Sequence, residues 1–161
     1  EYIINKALEI CDKVLVFIGS SDKSGTIENP FSYELREKLI KKIYGNEIVE
    51  NKLIISPLAD LGAGNVTKWG DYLFCEAEKI LRKVDCIVYG EESKCKSWFS
   101  EKIKKSVNFI VISRDDIKIN ASTLREYMRK NDFESWKKFV NEKNWGEFGK
   151  MREILIKIWK N

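Results

Sequence analysis

The stretch KVLVFIG, residues 13–19, decides the fold. It is an apolar, largely β-branched run of strand length that stops at Gly19, without the polar alternation of a half-exposed strand. A strand apolar on both faces is covered on both faces, which is the situation in parallel sheets flanked by helices. Outward from it the same kind of run recurs as KLIIS (52–56), DCIVYG (85–90) and NFIVIS (108–113). Between the runs lie helical patterns. Residues 2–11 carry Ile3, Ile4, Ala7, Leu8 and Cys11 at helical spacing; Ser32 stands as N-cap to a helix reaching about Tyr44; roughly 71–82 and 94–104 are helical. After the fourth strand the chain turns helical to its end, where Phe148, Met151, Leu155 and Trp159 mark an amphipathic stretch. Strands alternating with helices predict an α/β fold with a doubly wound parallel sheet. The expectation is one domain over 1–161, with 1–118 the α/β core and 119–161 helical.

Composition narrows the chemistry. With 43% apolar and 12% aromatic residues the 161-residue chain carries enough to bury a core. It contains no histidine, so within these residues a Ser-His-Asp or Cys-His site, a His general base and a His-ligated metal are all excluded. Cys11, Cys75, Cys86 and Cys95 form no C-x-x-C pair and read as small buried hydrophobes in a reducing cytoplasm. No apolar run is long enough for a membrane span, and no protein-bound metal site is expected. Net charge is +4, with the basic excess after residue 100. Those lysines punctuate amphipathic helices instead of forming a block, which argues for solvated faces over a nucleic-acid surface.

In doubly wound sheets ligands bind beyond the carboxyl ends of the strands. Three of those ends carry unusual residues. The first, GSSDKSGTIENPFSYELR (19–36), places Gly19 and Ser20 at a strand end suited to an anion, with Asn29 before a rigid Pro-Phe and Arg36 one turn into the next helix. An ordinary solvated loop with Phe31 as a hydrophobic staple fits the same spacing. The second, DLGAGNVTKW (60–69), sets Asp60, Asn65 and Trp69 on one loop, able to hydrogen-bond a polar base and stack its ring. A turn-rich loop that drops Trp69 into the core is the alternative. The third, INASTLREYM (119–128), opens a helix. Ser122 or Thr123 falls near its N-cap, where free N–H groups attract phosphate, and Arg125 points at the same anion from the first turn. A capped helix with a solvated Arg125 is equally open. Converging on one crevice, the three would bind phosphate without a general base, which suits nucleotidyl or phosphoryl transfer by positioning and electrostatics.

The order of these segments resembles the nucleotidyltransferases of the H-x-G-H superfamily, and within them the nicotinamide-nucleotide adenylyltransferases of the archaeal type. Gly19, Ser20, Asn29, Pro30, Phe31, Ser32 and Arg36 match that group's G-S-x…N-P-F-T-x-x-E-R segment. Asp60, Asn65 and Trp69 match its Asp…Asn…Trp loop, and Ile119 to Arg125 its I-S-x-T-x-x-R signature, with Asn120 where Ser is usual and Ser122 where Thr is usual. The Asp60-to-Trp69 loop is longer than the group's.

The resemblance implies a Rossmann-like sheet with helices on both faces and a helical C-terminal cap. It implies adenylyl transfer from ATP to nicotinamide or nicotinate mononucleotide, giving NAD and pyrophosphate, with Mg²⁺ carried on the substrate phosphates. Ser122, Thr123 and Arg125 would bind ATP phosphates, with Arg125 stabilising the transition state. Gly90 would let the adenine or ribose approach. Gly19, Ser20, Asn29, Arg36, Asp60, Asn65 and Trp69 would serve the acceptor, Arg36 either holding the loop or contacting a phosphate. Another phosphorylated acceptor of the same superfamily (phosphopantetheine or an alcohol phosphate) and a non-catalytic nucleotide-binding module are the alternatives. Oligomers occur in the family, and the apolar last helix permits one. The family's leading strand and H-x-G-H segment have no counterpart here. The chain is therefore expected to be part of a longer one, with an unpaired edge beside KVLVFIG.

Overall fold

In the computed structural model, residues 1–61, 66–90, 95–113 and 119–160 are described, the side chains of 66 and 67 excepted. The order is α1 (Tyr2–Ile10), β1 (Val14–Ile18), α2 (Tyr33–Ile43), α3 (Gly45–Val49), β2 (Leu53–Pro57), α4 (Val66–Leu81), β3 (Cys86–Gly90), α5 (Glu101–Ser106), β4 (Asn108–Ile112), α6 (Ala121–Arg129), α7 (Phe133–Lys137) and α8 (Phe148–Lys160), with 3-10 turns at Cys95–Trp98 and Glu142–Glu147. All four expected strands form, each within a residue of its apolar run. The fold is mixed α/β.

The strands make two separate pairs, β1 with β2 and β3 with β4. In the first, Val14 N–H donates to the Lys52 carbonyl at 2.8 Å at one end, and Leu58 N–H donates to the Ile18 carbonyl at 3.1 Å at the other. Both strands therefore run the same way. In the second, parallel register sets Cys86 beside Asn108 and Gly90 beside Ile112. Among the described residues β1 has a strand along one edge only, and no continuous four-stranded sheet forms.

The chain divides into two compact units that interleave along the sequence. Unit 1 holds Glu1–Val16, Lys52–Ser56 and Asp60–Ile117; unit 2 holds Phe17–Asn51, Pro57–Ala59 and Lys118–Asn161. The division runs through the β1–β2 pair.

In unit 1, α4, the Cys95–Trp98 turn and α5 cover the β3–β4 pair. Phe74, Cys95, Phe99, Ile103 and Val107 are its buried core, with Ile87, Tyr89 and Phe109 contributed by the strands. Phe99 meets Phe109 edge-on at 5.3 Å between centroids. Gly70 is what lets α4 approach so closely. A Cβ there would lie 2.9 Å from the Phe99 nitrogen and closer still to the Trp98 carbonyl group, so only glycine fits. Asp71 Oδ1 then accepts from Ser100 N–H at 2.8 Å, fixing the start of α5. The single helix expected over 94–104 is thus two pieces, broken at the buried Phe99.

In unit 2, α2, α6, α7 and α8 enclose Leu35, Met128, Trp136, Phe148, Met151 and Leu155. Ser32 caps α2 as expected, its hydroxyl accepting from Leu35 N–H at 3.4 Å. Trp136 is 1% exposed and packs edge-on against Phe148 at 5.1 Å. Lys38 and Lys42 both reach Glu147 Oε1, at 2.8 and 2.5 Å. The reading of all four cysteines as buried needs correction. Only Cys95 is buried; Cys11 and Cys86 are half-buried and Cys75 is exposed, because it falls on the outer face of α4.

Candidate functional site

Of the expected site residues of unit 2, Asn29, Arg36 and Arg125 line one cavity of about 360 Å³, with Pro30, Phe31 and Glu28 on the same wall, whereas Gly19, Ser20, Ser122 and Thr123 do not line it. Two sequence segments nearly ninety residues apart, the Asn-Pro-Phe turn and the start of α6, meet there. The floor is apolar, and two guanidiniums sit on its wall.

Arg36 is settled by geometry. Its guanidinium donates to the carbonyls of Gly19 at 2.7 Å and Ser20 at 2.9 Å, while its Nε donates to Ser32 at 3.3 Å. All three bonds go to backbone, so Arg36 holds the loop after β1. Ser20 needs that support, since its φ of 49° lies in the left-handed region that disfavours a side chain. The expected row of exposed N–H groups is reduced: Ser21 N–H donates to the Leu58 carbonyl at 3.1 Å. Asn29 is fixed by its backbone, its N–H donating to Thr26 Oγ1 at 3.0 Å.

At α6 the cap is Asn120, with Ser122 and Thr123 in the first turn, near the N-cap as expected. Asn120 Oδ1 accepts from Thr123 N–H at 2.8 Å and from the Thr123 hydroxyl at 3.1 Å. Asn is as good an N-cap as Ser, and its acceptor suits the third residue of the helix. Thr123 is thereby committed to the cap, while Ser122 sits one residue nearer the helix start. There the first N–H groups have no intrahelical partner and the helix dipole is positive. Arg125 donates to the Ile27 carbonyl at 2.8 Å and approaches Ser122 Oγ at 3.5 Å.

Two of the nearby carboxylates are engaged by other cations. Glu126 is bound by Arg129 at 2.6 Å and by Lys130 at 3.3 Å, which holds its carboxyl down to about 2. Glu37 accepts from Tyr33 at 2.8 Å and pairs with Lys41 at 3.0 Å. Among the described residues neither Arg36 nor Arg125 has a carboxylate partner. The cavity wall therefore carries two guanidiniums and the one carboxylate of Glu28 beside a helix N-terminus, and the guanidiniums suit a phosphorylated ligand. One wall residue had no sequence signal. Asn144 is 4% exposed, its Nδ2 donates to the Leu39 carbonyl at 3.1 Å, and its Oδ1 has no partner among the described residues.

The remaining expected residues lie in unit 1. Trp69 is in the first turn of α4, not on a loop, because the helix begins at Val66. It is half-buried, with its ring 5.7 Å from Tyr72, its neighbour one turn on. Asp60 is half-buried before α4, and Gly90 is the buried last residue of β3. Asn65 lies outside the described residues. No group of three or more Cys, Asp or Glu side chains among the described residues is arranged to hold a metal. A Mg²⁺ riding on substrate phosphates needs no such cluster. Among the described residues no helix is long and apolar enough to cross a membrane. Against known proteins, no family model matches the chain and no curated protein is significantly similar to it.

Proposed function

We propose that the chain is a nucleotidyltransferase of the H-x-G-H type, transferring adenylyl from ATP to nicotinamide or nicotinate mononucleotide in the cytoplasm. The observation that carries this reading is the cavity on which Asn29, Arg36 and Arg125 converge beside the start of α6. With it goes the finer reading of the fold, a Rossmann-like doubly wound sheet to which the two parallel strand pairs belong.

The bonds support a division of labour. The 5′-phosphate of the mononucleotide attacks the α-phosphorus of ATP in line, and pyrophosphate leaves. Arg125, with Ser122 and the first N–H groups of α6, neutralises the charge that grows on the departing oxygens, where a fixed donor counts most. Arg36 acts one step back, as a positioning residue: it fixes the Gly19–Ser20 backbone against which the acceptor lies. Asp60, Asn65 and Trp69 enter on their sequence motif, as readers of the pyridine amide and ring.

The test is turnover of the full-length protein with ATP and nicotinamide mononucleotide, scored as pyrophosphate and dinucleotide formed. A parallel arm offers CTP and phosphopantetheine or alcohol phosphates, which would reassign the acceptor. ATP binding without product in any arm would favour a nucleotide-binding module, and absence of both would sink the reading.

A further inference from the structure

We propose that Cys11 and Cys86 form an oxidative modification site, closing a reversible disulfide that staples α1 to β3 inside unit 1. Their Sγ atoms lie 3.5 Å apart, with either thiol able to donate to the other. Cys11 is the C-cap of α1, its N–H still bonded to the Ala7 carbonyl at 2.9 Å, and Cys86 is the first residue of β3. Both positions are therefore fixed by backbone, and α1 packs directly on β3. A disulfide needs sulfurs about 2.0 Å apart, which side-chain rotation supplies from a starting contact like this one. The pair lies 75 residues apart in sequence, so the bond would close a long loop.

Accessibility separates this pair from the other two thiols. Cys11 and Cys86 are half-buried, which admits a small oxidant, whereas Cys95 is buried and Cys75 is exposed. Burial, helped by the facing Cys86 thiol, pushes Cys11 up to about 11, so Cys11 keeps its proton at neutral pH. With glutathione disulfide as oxidant, one of the two sulfurs, as its thiolate, attacks a glutathione sulfur, forming a mixed disulfide and releasing one glutathione thiolate. The other protein sulfur, 3.5 Å away, then displaces the second glutathione, its proton going to the departing thiolate. Two protein thiols are oxidised and one glutathione disulfide is reduced to two glutathione molecules, so the electrons balance.

The consequence is mechanical. No side-chain cap holds the start of α1, and the bond would fasten its far end to the sheet. Reduced and then incubated with glutathione disulfide at neutral pH, the full chain should lose two hydrogens at the Cys11–Cys86 pair, over and above any glutathione gained at Cys75. Peptide mapping should show Cys11 joined to Cys86, alkylation lost at both together and restored by dithiothreitol. Cys75 should instead carry a glutathione adduct. The oxidised chain should melt several degrees higher than the reduced one, a shift that Cys11→Ser abolishes. Independent alkylation of Cys11 and Cys86 after oxidation, lasting glutathione adducts on either, or pairing with Cys75 would overturn the proposal. The wild-type map decides this even if the variant fails to fold.

Discussion

Arg36 holds the Gly19 carbonyl at 2.7 Å from one turn inside α2, so a helix on one side of the Asn-Pro-Phe turn fixes the loop on the other. Arg36→Lys keeps the charge but not the planar fork, and should lose at least one of the three carbonyl bonds. The expected cost is about 1–3 kcal/mol in denaturant unfolding. If the proposed function holds, the acceptor KM should rise more than kcat falls, because the lesion displaces the Gly19–Ser20 backbone and leaves Arg125 in place. Unchanged stability would show that these bonds do not hold the loop.

Arg125→Ala tests the phosphate assignment directly. Turnover should fall by roughly two to three orders of magnitude, the usual effect of removing one charge-stabilising donor. Far-ultraviolet circular dichroism should be unchanged, since Arg125 lies outside the apolar cluster of unit 2. Near-full turnover in the variant would place the phosphates elsewhere.

Gly70→Ala should destabilise unit 1 by on the order of 2 kcal/mol, because the added methyl meets the Trp98 and Phe99 backbone instead of a side chain that can rotate away. The thermal midpoint reads it. A neutral result would mean that α4 can retreat without loss.

Glu147 gives a pH signature. Its bonds from Lys38 and then Lys42 hold its carboxyl down to about 2, against an ordinary value of 4.5. A carboxyl depressed in the folded state stabilises fully above its unfolded pKa, and that share is lost as pH falls through the folded one. Glu147→Gln should therefore cost stability at neutral pH, and the gap to wild type should close as pH falls from about 4.5 to about 2. A gap independent of pH would assign the effect to shape rather than charge.

Asn120→Ala should cost about 1 kcal/mol through loss of the α6 cap, with Asn120→Ser close to wild type. Equal loss in both would mean that the cap bond contributes little.

What was legible in the sequence follows physical range. The strands are readable because short, largely β-branched apolar runs favour strands, even though β4 leaves Val111 exposed, and Ser32 because the N–H it accepts from lies three residues away. Arg36 was flagged, but its role depends on carbonyls 16 and 17 residues distant. The helix at Trp69 was read as loop because glycines precede it, although a helix can start immediately after them. The sequence places Ser122 and Thr123 near the α6 N-cap, and the structure makes Asn120 the cap itself. Asn144 and the Glu147 pairing with lysines more than a hundred residues away leave no local pattern at all.

The interleaving of the two units bears on how the protein is made. Leu35 leaves the ribosome early, yet its partners in the buried cluster begin only at Met128 and end at Leu155. At synthesis rates of roughly 5–20 residues per second, α2 must wait several seconds with its apolar stripe uncovered. Unit 1 faces a shorter delay, since its core needs only Phe74 to Val107. Translation thus imposes an order, with the sheet of unit 1 free to assemble while the arginine-lined cavity still lacks a wall. A chaperone acting on the nascent chain would find its target in α2.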